Sequence, residues 1–236
     1  MALYAISDLH LALNGDKPMD VFGQNWYKHD EKIKSNWCDM ISSEDTVLIG
    51  GDISWSINME EGMKDIQWIH ELPGRKIIIK GNHDYWWGSI NKLNGLYEDI
   101  KFIQNNFFVY EDYAICGTRG WTCPGSDRYT LQDDKIYKRE LIRLKLSLDS
   151  AKNRGHKKYI CMVHYPPTNE RFEASGFTDL FEEYGVEKVI YGHLHGNSLN
   201  RVLNGFRNDV QYIMTSSDYL DFKPLKIEEK DVSNGL

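Results

Sequence analysis

The stretch KIIIKGNHDYWWGS, residues 76–89, decides how the rest of this chain reads. Three isoleucines between two lysines have the length and β-branched content of a buried strand. The run breaks at Gly81 into Asn82, His83 and Asp84, and then into two tryptophans. A strand that ends in a polar turn can be punctuation, or it can be the rim of a site. The pattern recurs, and recurrence favours the second reading. "YAIS" runs into Asp8-Leu9-His10, "VLIGG" into Asp52, "ICMV" into His164, and "VIYG" into His193-Leu194-His195. Ligands of open α/β sheets collect beyond the carboxyl ends of the strands, so five such ends can converge on one crevice.

Further strand-like runs are "FFVY" and "YAICG", and helical patterns lie between several of the runs. Ile33, Trp37 and Met40 share one helical face. Met59, Met63, Ile66 and Ile69 share another, with Asn58 placed to cap it. From Asp133 to Asn153, Tyr137, Leu141, Leu144, Leu148 and Ala151 keep a helical spacing, and Gly155 marks the stop. This alternation predicts βαβ units with parallel strands. Between residues 100 and 117 the strands follow one another closely, which predicts antiparallel pairing there. The expectation is a mixed α/β protein with two packed sheets. The 236 residues, 41% hydrophobic, support a single domain over 1–236. The last dozen residues are polar and are expected to end in a frayed tail.

The formal net charge is −7 and no basic tract stands out, which argues against long nucleic acid as a partner. No apolar run approaches the roughly 20 residues of a membrane span. The first residues, MALYAISDLH, read as a strand of the fold and not as a signal peptide. Cys38, Cys116, Cys123 and Cys161 form no Cys-x-x-Cys pair. Reduced thiols, and a cytoplasmic protein, are the expectation.

Residues two apart on an extended segment point to the same side, so Asp8 and His10 can reach one ion, as can His193 and His195. Imidazole and carboxylate without thiolate suit Mn, Fe, Zn, Ni or Co. The ligands are too many for one tetrahedral zinc. They suffice for two divalent ions sharing a bridging carboxylate, a device for displacement at phosphorus with the ions about 3.5–4 Å apart.

In this order, Asp-x-His, Gly-Asp, Gly-Asn-His-Asp, His and Gly-His-x-His, the motifs resemble those of the calcineurin-like metallophosphoesterase superfamily. They span residues 8 to 195. The resemblance implies a four-layer α/β/β/α sandwich with mixed sheets and a dinuclear metal site at the carboxyl ends of the inner strands. It implies that Asp8, His10 and His195 hold the first ion, that Asp52 bridges, and that Asn82, His164 and His193 complete the second. His83 would face the leaving group as general acid. Gly81 would let the backbone turn, and Asp84 would either favour protonated His83 or cap the turn. Three residues after Asp52, where purple acid phosphatases of this superfamily carry a tyrosine ligand, the chain has Trp55, so a tyrosinate-bound ferric iron is not expected.

The implied activity is a metal-dependent phosphohydrolase in which metal-bound hydroxide attacks a phosphate mono- or diester of a small molecule or nucleotide. The alternatives are an inactive scaffold of the same fold acting in a protein complex, and a nuclease-like phosphodiesterase. Trp86 and Trp87 read as core or rim packing, with stacking on a substrate the minority reading. Arg119, in a Gly-rich loop, is a candidate substrate-binding residue, while Arg128 reads as solvated. The segment NGDKPMDVFGQNW, residues 14–26, is placed to cover the site, with Asp16 and Asp20 as turn residues. His29, His70 and His156 read as surface residues. Tyr165-Pro166-Pro167 would rigidify the turn presenting His164.

Overall fold

The computed structural model describes residues 1–13, 15 and 17–227. Asp16 and the tail from 228 onward lie outside the described residues. Eleven strands and five α-helices are found among those described, in the order β1 Leu3–Ile6, α1 His29–Met40, β2 Thr46–Ile49, α2 Met59–His70, β3 Arg75–Ile79, α3 Ile90–Leu93, β4 Ile100–Ile103, β5 Phe108–Tyr110, β6 Tyr113–Thr118, α4 Leu131–Lys152, β7 Lys158–Val163, α5 Gly176–Tyr184, β8 Val186–Tyr191, β9 Gly205–Arg207, β10 Val210–Met214 and β11 Leu225–Lys226.

Two mixed sheets result, with strand orders β11-β1-β2-β3-β4 and β5-β6-β7-β8-β10-β9. Side chains alternate across each strand, and three apolar layers follow. Ala5, Leu48, Ile77 and Ile79 of the first sheet meet Ile115, Ile160, Met162 and Ile190 of the second. On its other face the first sheet packs Ile6, Ile49 and Ile78 against Ile33 and Trp37 of α1 and Ile66 and Ile69 of α2. The second sheet packs Cys116, Cys161 and Val189 against Leu144 and Leu148 of α4 and Phe177 and Phe181 of α5. The protein is a four-layer α/β/β/α sandwich, as the motifs implied.

The helix caps fall where side-chain chemistry puts them. Asn58 accepts from the backbone N–H of Glu61 at the start of α2. Thr130 and Asp133 form a reciprocal capping box at the start of α4. Met40, the last residue of α1, is 40% exposed and does not share the buried face of Ile33 and Trp37. The pairing predicted for residues 100–117 is half right. β5 and β6 are antiparallel, but β4 pairs parallel with β3. The chain changes sheets between β4 and β5, and closeness in sequence therefore does not become pairing. Of the last dozen residues, Leu225–Lys226 add antiparallel to the edge of β1, and the tail expected at their end lies outside the described residues.

The two sheets meet in a seam just past β1. Ser7 donates its N–H to Thr215 O at 2.7 Å and forms an isolated bridge with Ser216. The hydroxyls of Ser7 and Thr215 lie 2.7 Å apart. This seam brings the strand ends of both sheets to one edge.

Candidate metal centre

Seven of the predicted residues come together at this edge. Asp8 and His10 follow β1, Asp52 follows β2, Asn82 follows β3, His164 follows β7, and His193 and His195 follow β8. Two groups form, Asp8 with His10 and His195, and Asp52 with His164 and His193. Asn82 Oδ1 joins the second group, 2.9 Å from His164 Nε2. Asp52 Oδ2 stands between the groups, 3.8 Å from His10 Nε2 and 3.4 Å from His164 Nε2.

The backbone holds these residues in unusual shapes. Asp8, His10, Asp52 and His193 all have positive φ, from 45° to 74°. Such conformations cost about 1–3 kcal/mol each and persist where the surroundings dictate them. The loops are cross-tied. Asp8 N–H donates to Gly51 O, and His10 N–H to Asp52 O. Gly81 serves this geometry through space. Its φ is not in the left-handed region, so the close approach of Asp52 is what calls for glycine there. A Cβ there would collide with the backbone N and Oδ1 of Asp52. A Cβ on Gly192 would strike Asp8 Oδ2 in the same way.

The carboxylate of Asp8 is satisfied on one oxygen only. Asp8 Oδ2 accepts from Ser216 Oγ and His193 N–H, while the buried Asp8 Oδ1 has no hydrogen-bond partner. Asp52 Oδ1 accepts from the backbone N–H of His83 at 2.8 Å, and its Oδ2 faces the imidazoles. The histidines are oriented likewise. His164 Nδ1 lies 3.0 Å from Gly50 O, so in the neutral ring Nδ1 carries the proton and Nε2 can donate a lone pair. His195 Nδ1 lies 2.8 Å from Asp218 Oδ1. Its Nε2, buried and without a hydrogen-bond partner, points at Asp8 Oδ1 from 3.4 Å. Orphaned buried donors of this type are the arrangement that a cation completes, and the residues present fit metal ions.

Electrostatics agree. Burial opposes charge on Asp8, but His195 and His164 hold its carboxyl down at about 2. Asp52 is likewise driven down against its burial, chiefly by His164. Burial opposes charge on His164, yet Asp52 pushes it up to about 9. Asp8 and Asp218 push His195 up to about 10 against the same opposition. Burial wins at His10 and His193, which fall to about 4 and about 3. Two anionic carboxylates at the core of the cluster thus draw positive charge to it.

His83 stands beside the cluster, its side chain 33% exposed, with Nε2 3.9 Å from Asp52 Oδ2. Burial lowers its pKa, and Asp52 offsets that fall only in part. Asp84 points away from it. Asp84 Oδ2 accepts from Gly81 N–H, and Oδ1 from Ile53 N–H, Ser54 N–H and Trp86 Nε1. Of the two expectations for Asp84, its geometry matches the turn cap, extended to clamp the loops of Asp52 and Asn82 together. Burial, helped by Asp52, pushes its carboxyl up to about 6. Trp86 is buried, and Trp87 donates Nε1–H to Gln104 Oε1. Both tryptophans behind the polar turn therefore pack.

The guanidinium of Arg119 lies 3.5 Å from buried Glu140 and over the Trp121 ring, while its carbonyl accepts from the N–H groups of His164 and Tyr165. Arg128 is exposed, as expected. His29 is buried, contrary to its surface assignment, with Nε2 3.3 Å from His10 O and its ring 5.4 Å from Trp26. The first turn of α1 faces the His10 loop, which sequence spacing did not reveal. Trp26, from the segment expected to cover the site, packs within 5.9 Å of His10 and 5.6 Å of His195. Trp55 stacks on His10 at 4.9 Å.

Paired aspartate and histidine groups at the fused edge of such a sandwich define a metal-dependent phosphoesterase. The chain belongs to the calcineurin-like phosphoesterase family, whose profile matches residues 1–197. It is similar to the Gene 66 protein of Mycobacterium phage D29, 22% identical over 88% of this chain and 86% of that protein. A 78-residue match to the Gene 66 protein of Mycobacterium phage L5 is 35% identical but spans 33% of this chain and 37% of the phage protein. In fold it resembles the phosphopantetheinyl hydrolase PptH of Mycobacterium tuberculosis (TM-score 0.62, 13% identity, 99% and 98% of the two chains). It also resembles a protein of unknown function from Aquifex aeolicus (TM-score 0.52, 17% identity, 95% of each chain). Among the described residues no helix is long and apolar enough to cross a membrane.

Proposed function

We propose that this protein hydrolyses a phosphate mono- or diester of a small molecule or nucleotide with the help of two divalent transition-metal ions. The observation that carries this reading is Asp52 Oδ2, set between His10 Nε2 and His164 Nε2. One carboxylate oxygen within reach of both histidine groups suits a bridge. Asp8, His10 and His195 would hold one ion, and Asn82, His164 and His193 the other. When bound, such a pair supplies an activated water near neutral pH and neutralises charge on the phosphate oxygens.

The residues of the chain supply the rest. Gly50 O and Asp218 fix the ring orientations of His164 and His195 before any ion arrives. Asp84 holds the Asp52 and Asn82 loops at their spacing. His83, partly exposed beside Asp52, would give the departing alkoxide its proton. Arg119 is engaged with Glu140, so a part in gripping substrate phosphate requires it to leave that partner.

The test is a screen with Mn²⁺ against aryl mono- and diesters, cyclic nucleotides and nucleoside phosphates. The likeness of fold to a phosphopantetheinyl hydrolase adds that ester to the panel. Chelation should abolish the hydrolysis found and Mn²⁺ should restore it. Full activity in metal-stripped protein refutes the reading. Failure to bind transition metal at all would favour a scaffold.

A further inference from the structure

The ring of Tyr165 stacks on that of His193, with centroids 4.0 Å apart and planes 28° from parallel. Both residues line a cavity of about 540 Å³. A bare phosphate needs far less, and the volume falls within the ~300–1,000 Å³ of small-molecule sites. Part of its wall is the 3-10 turn Gly196–Arg201, which follows His195 directly and contributes Asn197, Ser198 and Asn200. Thr122 and Thr168 add hydroxyls. Phe172 adds a ring that stays 39% exposed, on a backbone held at φ 57°. A phenyl left open on a strained non-glycine backbone suits contact with a ligand.

Charge narrows the occupant. Glu170 and Arg201 both line the cavity, and their opposite charges offset. A second phosphate would find no net cation there. An uncharged group with several hydrogen-bonding edges would find hydroxyls and amides.

Position decides which part of the substrate this is. His83 lies on another flank of the centre, its ring 4.2 Å from Trp55 and 5.7 Å from His10. A departing alkoxide must reach His83 for its proton. The cavity instead opens beside His193. Resting on the phosphoesterase reading above, we infer that the cavity holds the organic group that stays on phosphorus. The substrate is then a phosphodiester whose retained alcohol is uncharged, nucleoside-sized and polar, with one flat or apolar face. Hydrolysis breaks the P–O bond to the other alcohol and joins the oxygen of water to phosphorus. A proton passes to the leaving oxygen, and a monoester remains in the cavity.

Three esters with one leaving group test this at saturating Mn²⁺: thymidine 5′-(p-nitrophenyl phosphate), methyl p-nitrophenyl phosphate and p-nitrophenyl phosphate. The thymidine diester should exceed the methyl diester in kcat/KM by about ten-fold or more, the worth of one or two well-made hydrogen bonds. Ser198→Trp, at an exposed position of the 3-10 turn, should bring that ratio close to one. A second readout needs neither turnover nor metal. Saturation-transfer NMR should detect thymidine on the metal-free protein and lose it with Ser198→Trp. Equal rates for the two diesters, or preference for the monoester, together with no thymidine signal, overturns the assignment. Thymidine binding that depends on Ser198, with none of the three esters cleaved, supports the cavity as the neutral-group site and overturns the phosphoesterase reading instead.

Discussion

Asp218 Oδ1 lies 2.8 Å from His195 Nδ1, leaving His195 Nε2 directed at Asp8 Oδ1. The carboxylate fixes both the tautomer and the plane of the ring. Partners of this kind typically change metal affinity by about 10–100-fold. Asp218→Asn should therefore weaken one of two metal-binding steps by that factor while the fold persists. Titration against a competing chelator measures it, and an isotherm superimposable on that of the wild type would remove Asp218 from the centre.

Asp52 should behave differently from His195. Under the proposed bridge its carboxylate would offset part of the mutual repulsion of two ions, so Asp52→Asn should lower occupancy at both positions. His195→Ala should mainly weaken the first. Metal content after dialysis at graded Mn²⁺ separates the two patterns. Unchanged two-ion binding in Asp52→Asn contradicts the bridge.

His83→Ala should retain its metal. General acid catalysis typically contributes about 10²- to 10⁴-fold. The loss should fall on esters with alkoxide leaving groups, because p-nitrophenolate departs without a proton. Comparing the two leaving groups in metal-loaded protein checks this. An equal loss for both, accompanied by metal depletion, would make His83 a ligand.

The thiols give a test that is independent of activity. Burial pushes Cys116 and Cys123 up to about 12 and Cys161 well above its usual value, whereas Cys38 is exposed. A thiol reacts as thiolate. Native protein should take up one equivalent of maleimide quickly, and Cys38→Ser should abolish that phase. Two or more fast thiols would contradict the packing around α4.

The clustering of the strand-end Asp, Asn and His residues was legible because each closes an apolar run. Asp218 was missed although the same rule reaches it. "VQYIM" of β10 is another apolar run, and its continuation TSSD ends in the carboxylate. Its period is interrupted by Gln211, and no motif flagged it. His29 was misread because a histidine opening a polar helix carries no mark of the loop it will face. The parallel pairing of β4 could not be read either. It depends on which sheet the chain joins, a choice made by the apolar faces of Phe102 and Ile103 against distant residues.

The seam at Ser7 has a mechanical consequence. Asp8, His10, Asp52 and Asn82 hang from the first sheet, and His164, His193 and His195 from the second. Each candidate ion group thus draws on both halves of the sandwich. A bound pair would act as a rivet through the joint, resisting any sliding of one sheet over the other. Loading should then slow hydrogen exchange most at the amides that cross the joint, such as Ser7 and Ser217, well away from the helices that cover the outer faces.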